Sequence, residues 1–230
     1  MSWYYGMDGN SPGTCPCKGD GPNFYIGRLG GGVTAGGTGW EPSAPAAYTF
    51  AYWDVVGPGG SGGILPNQWG VDQANAFITA WENKHNTGAI NGLTLFGDVE
   101  DLNGGWGTGD LPANQEVLSY FLETINMYFT YQGQYDFDAG VYISSDNWDT
   151  FFGSSYTSPQ PFVLWQAGTN CPSDCSTAAA DFPTATVGGY KPMIWQYLVT
   201  GNPPYGCGAS QDLDISPYSG YQNSKWNPTT

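Results

Sequence analysis

Basic side chains are scarce in this sequence. Its 230 residues include five Lys and Arg against twenty Asp and Glu, which gives a formal net charge of -15 at pH 7. A surface of this charge repels phosphate backbones and anionic lipid headgroups, because both are negatively charged. The balance therefore argues against nucleic acid as a partner.

Long apolar runs are also missing. No stretch approaches the ~20 residues needed to cross a bilayer, and the start at Met1 shows neither a basic region nor an apolar run of signal-peptide length. We expect no membrane span. Hydrophobic residues still make up 40% of the chain and aromatic ones 16%, which is enough for a large core and is not typical of disorder. One domain covering 1–230 is expected, since a (β/α) barrel of this length is commonly one unit.

Histidine occurs once, and cysteine is present in an odd number. His85 falls at the polar end of a predicted helix, which is typical of a solvated helix terminus rather than of a catalytic triad or a metal site. The cysteines lie in Gly- and Pro-rich stretches, which indicates loop-closing disulfides with at least one thiol unpaired. They are Cys15, Cys17, Cys171, Cys175 and Cys207. The one-residue spacer between the first two departs from structural zinc sites, so we expect no metal and no cofactor; a metal-dependent hydrolase is the weakest alternative.

Eight apolar segments bounded by turn residues predict strands. They are 3–8, 23–29, 48–55, 93–99, 139–144, 162–166, 193–197 and 212–215. Helical periodicity predicts helices over 74–81 and 118–129 and a short one starting near Asp146, with none after residue 155. This alternation predicts an α/β fold, a TIM-like (β/α) barrel of eight strands whose outer helix layer is incomplete, with helices missing in the last third.

The fourth predicted strand ends in carboxylates. Alternation sends Asp98 and Glu100 to the same side, with Cα atoms roughly 6.6 Å apart from twice the rise per residue. In a barrel this is the mouth at the C-terminal ends of the strands. Two carboxyls held close together cannot both ionise easily, so one keeps a proton, which is the division of labour that glycoside hydrolysis needs. The alternative is that both are helix caps or solvated loop acids.

Four motifs follow one another in an order that resembles a known family. They are Gly6-Met7-Asp8, Asp98-Val99-Glu100, Trp195-Gln196-Tyr197 and Leu213-Asp214. Together they resemble the family 25 glycoside hydrolases, the lysozymes of phages, bacteria and fungi. Related glycoside hydrolase-like barrels share the first motif and an element similar to Tyr25-Ile26-Gly27-Arg28.

The resemblance implies a glycosidase that cleaves β-1,4 bonds of an amino-sugar polymer, with bacterial peptidoglycan as the substrate. It implies that Glu100 is the general acid and that Asp98 is either a nucleophile or the group that orients the substrate's N-acetyl oxygen. Asp8 and Asp214 would complete an acidic floor. The choice between retaining, inverting and substrate-assisted routes stays open.

Aromatic rings offer flat apolar platforms to sugars, and four of them lie near predicted strand ends. Tyr142, Trp165, Trp195 and Tyr197 are therefore candidate substrate-binding residues, with core packing as the alternative for each. Arg28 either neutralises the acidic mouth or forms a structural ion pair.

A second function fits the same sequence. Gly-rich loops, many tyrosines and strong acidity also suit a glycan-binding or extracellular assembly protein that keeps the barrel without turnover. Expected partners are a polysaccharide or peptidoglycan fragment and, for the second function, copies of the chain itself. Either function predicts an extracellular or cell-wall location.

Overall fold

The structure is a computed structural model that describes residues 4–9, 24–35, 48–86, 90, 94–101, 104–133, 138–168, 175–198 and 211–217. Of the five cysteines only Cys175 falls in these ranges, as the first residue of a helix. The expected disulfides therefore lie outside the described residues. No helix in the described part of the chain is long and apolar enough to cross a membrane.

Strands are present at all eight predicted positions, with ends within two residues of those expected. In chain order the strands are β1 Tyr4–Gly9, β2 Phe24–Gly31, β3 Thr34–Ala35, β4 Tyr48–Asp54, β5 Thr94–Asp98, β6 Asp138–Ile143, β7 Val163–Ala167, β8 Pro192–Leu198 and β9 Gln211–Ser216. The two-residue β3 is the one that the sequence did not predict. It pairs with the end of β2 after the turn at Gly32 and Val33.

The strands form one curled, mostly parallel sheet. Seven strands, β1, β2 and β4 to β8, run in the same direction, and β1 pairs with β2 on one side and with β9 on the other. β9 is antiparallel to both β8 and β1. The α/β class and the TIM-like arrangement are thus confirmed, but the sheet is not uniformly parallel. An antiparallel neighbour needs no helical crossover, which fits the expected loss of helices late in the chain.

In the part of the chain that the structure describes, four α-helices lie between these strands. They are α1 Pro66–His85, α2 Leu111–Tyr131, α3 Ser145–Phe152 and α4 Cys175–Ala180. The first three confirm the periodicity, and Ser144 caps α3 by accepting a hydrogen bond from the Asn147 amide at 3.0 Å. The six-residue α4 corrects the expectation of no helix after residue 155, because less than two turns shows no readable period.

Strand alternation divides the apolar residues into two cores. Outside the sheet, Trp53, Phe77 and Phe121 stack in sequence between β4, α1 and α2, at centroid distances of 5.4 and 6.4 Å. On the concave side, Phe96 packs edge-to-face against Phe50 and Trp165. The concave core fills the curled sheet below the C-terminal strand ends, where the candidate site lies.

The contact between α1 and α2 depends on a residue without a side chain. A Cβ on Gly70 would stand 2.4 Å from the Val117 carbonyl oxygen and 3.1 Å from the Phe121 amide nitrogen of α2. We expect Gly70→Ala to destabilise the protein by about 1–2 kcal/mol, because overpacking costs about 1–3 kcal/mol and exceeds the up to ~1 kcal/mol that Ala contributes inside a helix. Urea unfolding would measure the change. Gly109→Ala, which meets no atom within 4 Å, is the matched control with an expected effect under ~0.5 kcal/mol; equal effects would contradict this account.

Candidate active site

Three of the four predicted acids are buried, two of them near the C-terminal ends of parallel strands and one on the antiparallel β9. Asp8 on β1, Asp98 on β5 and Asp214 on β9 are exposed to 6%, 8% and 0%. Glu100 follows β5 by two residues and is half-buried. Burial of this many carboxylates is costly unless hydrogen bonds and protons satisfy them.

Tyr142 on β6 lies at the centre of the buried acids. It is opposite Asp98 in the strand register, and its hydroxyl bonds to Gln196, which bonds to Asp8 and is opposite Asp214. Burial raises the pKa of Tyr142 far above its ordinary value, and the charges of Glu100, Asp8, Asp98 and Asp214 raise it further. Acids that are far apart in the sequence are therefore brought near one phenol.

Two donors serve the most deeply buried acids. The Gln196 amide nitrogen on β8 donates to both carboxylate oxygens of Asp8 at 3.3 Å, and the Tyr142 hydroxyl donates to the Gln196 oxygen at 2.5 Å. The indole N–H of Trp165 donates to Asp214 at 2.8 Å. Gln196 was not predicted as a site residue, although alternation between its aromatic neighbours on β8 would place it on the face opposite to theirs.

A second group lies beside the first, on β2 and β4. Arg28 forms an ion pair with Asp54, as one of its two predicted roles required. Burial raises the pKa of Asp54, although Arg28 opposes the shift. Burial also raises the pKa of Tyr52 well above its usual range, helped by the charges of Asp8, Asp98 and Asp54 and opposed by Arg28. Neutralisation of the acidic mouth by Arg28 stays a prediction.

Tyr52 and Asp54 were not predicted as site residues, because they lie inside an apolar segment. The signal that could have found them is the alternation of Phe50, Tyr52 and Asp54 along β4, which puts the three on the concave face.

The predicted aromatic residues divide between the two faces of the sheet. Tyr142 and Trp165 lie on the concave face with ring centroids 4.5 Å apart. Trp195 and Tyr197 lie in the outer core on the other side of β8, where Trp195 packs against Phe182 at 6.3 Å. The expected grouping with the acids is corrected for these two, because Gln196 between them occupies the inward position.

Among the described residues, no three His, Cys, Asp or Glu side chains are grouped so that they could hold a metal ion.

The hydrogen bond from Trp165 to Asp214 gives a stability prediction. Trp165→Phe should destabilise the protein by about 1–3 kcal/mol, because it leaves a buried carboxyl oxygen of Asp214 without its indole donor. Urea unfolding would measure the change in the free energy of unfolding.

Trp106→Phe is the matched control. The Trp106 indole N–H is also buried, but it donates to the neutral carbonyl of Val55 at 3.0 Å. Trp165→Phe should be the more destabilising of the two, and an equal loss of stability in both variants would show that the bond to the Asp214 carboxyl contributes no more than a bond to a backbone carbonyl.

Comparison with known proteins finds similarity at the level of structure. No family model and no curated protein matches the sequence. A family GH25 lysozyme from Aspergillus fumigatus superposes with a TM-score of 0.62 at 15% identity, over 97% of this chain and 98% of that one. The catalytic domain of the endolysin ply40 from bacteriophage P40 of Listeria monocytogenes gives 0.60 at 16%, over 96% of both chains.

A bacterial lysozyme from Streptomyces coelicolor gives a TM-score of 0.59 at 17% identity, over 97% of this chain and 96% of that one. At such identities the likeness establishes the fold. The chain has the fold of the family 25 lysozymes over nearly its whole length.

Proposed function

We propose that this protein is a glycoside hydrolase that cleaves β-1,4 bonds in an amino-sugar polymer, with bacterial peptidoglycan as its substrate. The observation that carries the proposal is the burial of Asp8, Asp98 and Asp214 on neighbouring strands beside Glu100, linked through Gln196 and Tyr142. An acid that keeps its proton and a second carboxylate that faces a cationic transition state are the two groups that this reaction needs. The lysozyme fold supports the same conclusion.

Glu100 is the general acid in this proposal. It is the least buried of the four, so it is the one that a polymer in the mouth can reach. Neighbouring negative charges favour the protonated form of a carboxyl, which is the form that donates to the leaving glycosidic oxygen. Once the oxygen has taken the proton, the bond to the anomeric carbon breaks.

Asp98 lies two residues earlier and is more deeply buried. Its carboxylate either attacks the anomeric carbon or orients the substrate's own N-acetyl oxygen for that attack. Asp8 and Asp214 form the floor, where their charge stabilises the oxocarbenium-like transition state. Gln196 and Trp165 hold these floor carboxylates in place before substrate arrives.

The remaining assignments follow from this activity. Tyr142 and Trp165 line the floor, and Arg28 moderates the negative potential at the mouth. We propose that residues 1–230 act as one domain. Known proteins with this fold are named as lysozymes, muramidases and an endolysin, so an extracellular or wall-associated site of action is proposed for this chain.

Replacing the proposed acid tests the function. Glu100→Gln should lower the rate of muropeptide release from purified bacterial walls by about 10²- to 10⁴-fold, the usual contribution of a general acid. Release would be followed by chromatography and by loss of wall turbidity. Glu116→Gln, on the exposed face of α2, makes the same chemical change away from the site and should leave the rate unaltered.

The same experiment distinguishes a glycoside hydrolase from a glycan-binding protein without turnover. If the wild-type protein releases no fragment from pH 4 to 8 yet binds wall oligosaccharides, the protein is a glycan-binding module on the same fold. Full activity of Glu100→Gln would instead remove this residue from the mechanism.

A further inference from the structure

A buried amide lies between the phenol and the acidic floor. Gln196 is 2% exposed, with its nitrogen 3.3 Å from both oxygens of Asp8 and its oxygen 2.5 Å from the Tyr142 hydroxyl. A primary amide donates only through its nitrogen and accepts only through its oxygen. The two ends of Gln196 are therefore not interchangeable.

The hydrogen bonds at its two ends fix which way the amide points. The nitrogen of Gln196 faces Asp8, whose carboxylate oxygens accept from it, and the oxygen of Gln196 faces Tyr142. That oxygen accepts, so the phenolic proton must point to it. Because a hydroxyl has a single proton, the Tyr142 oxygen can only accept a hydrogen bond from any other neighbour.

The other neighbours of Tyr142 are acids. Asp98 on β5 is its partner in the strand register, and Glu100 continues on the same side. The charges of Asp8 on β1 and Asp214 on β9 also act on Tyr142. The charges of Asp8 and Asp98 act in turn on Tyr52, which is opposite Arg28 in the strand register and lies beside the Arg28–Asp54 ion pair. The Trp165 ring packs against the phenol and carries no titratable group.

We propose that Asp8 and Gln196 are positioning residues that turn the Tyr142 hydroxyl into a hydrogen-bond acceptor for the Asp98 and Glu100 pair, so that it stabilises the protonated member. This rests on the proposed function, because it assigns how the acid of that site retains its proton. The phenol keeps its own proton, since burial and the surrounding acids oppose its ionisation.

The opposite polarity would have the opposite effect. A hydroxyl that donated to the pair would favour the ionised form and weaken the acid. The orientation of the Gln196 amide thus determines whether Tyr142 stabilises the protonated or the ionised form of the carboxyl pair.

The test titrates the carboxyls without substrate. Asp and Glu are labelled with ¹³C at the side-chain carboxyl, and the signals of Asp98 and Glu100 are followed by NMR against pH, with assignments from Asn and Gln variants. In Tyr142→Phe the protonated member loses its acceptor, so its titration midpoint should fall by about one pH unit, the equivalent of one hydrogen bond. A rise, or no change at either residue, would overturn the proposal.

Changing the amide tests the polarity itself. Gln196→Met has a similar length and releases the hydroxyl, which then donates to a carboxylate and favours its ionised form. The fall should therefore exceed that of Tyr142→Phe, and the double variant should return to the Tyr142→Phe value. A fall in Gln196→Met no larger than that of Tyr142→Phe would show that Gln196 does not hold the proton.

Gln166→Met on β7 is the control, because alternation with Trp165 directs this residue to the other face. It should leave both midpoints unchanged. The titration does not require catalytic turnover. If the protein cleaves no glycan, the proposed function is wrong, but the titration midpoints still decide whether Gln196 and Tyr142 act on the acid pair as proposed. If walls are cleaved, the alkaline limb of the kcat/KM profile should move to lower pH in both Tyr142→Phe and Gln196→Met.

Discussion

The burial of several carboxylates at one end of a curled sheet is the constraint on which this structure depends. Asp214 is fully buried, and Asp8 and Asp98 are nearly so. Without donors, such charges would cost several kcal/mol each. The indole of Trp165, the amide of Gln196 and the single arginine each meet an acid there, so the polar residues of the concave face serve to retain negative charge.

The two-residue alternation of side chains along each strand places these groups on one face of the sheet. Successive side chains alternate between faces, so each strand of the sheet contributes one residue in two to the concave side. The outward residues of the same strands build the core against α1 and α2. The outer face of these strands thus serves packing alone, while the concave face carries the acids above a core of its own, and a shift of one residue in register would exchange the two faces.

Much of this could be predicted from the sequence, for reasons that are local. Strands and long helices have their own periods, and the juxtaposition of Asp98 and Glu100 follows from alternation within one strand. The position of Trp195 and Tyr197 was predicted wrongly, because alternation shows that they share a face but not which face that is. That information comes from a tertiary contact, the hydrogen bond of Gln196 to Asp8, between residues 188 positions apart.

The reversal of β9 could not be predicted for a similar reason. A four-residue apolar segment carries no sign of its direction, and the direction is fixed by which neighbours it meets. β9 meets β8 and β1 in antiparallel register, which places Asp214 opposite both Gln196 and Gly6. A parallel β9 would have needed a crossover and would have given Asp214 different partners.

Aromatic rings and glycines one inward position below the acids restrict the movement of the acid side chains. Phe96 lies one inward position below Asp98, and its strand neighbour Gly140 lies one below Tyr142. A Cβ on Gly140 would stand 2.4 Å from the Phe96 ring, and one on Gly6, below Asp8, would stand 2.0 Å from the Phe24 ring. Large rings therefore fill the space that glycines leave on adjoining strands. This close packing restricts movement of the acid side chains above it. Catalytic electrostatics depends on groups that do not reorganise during the reaction, and this close aromatic packing provides that rigidity where the fold gathers its charge.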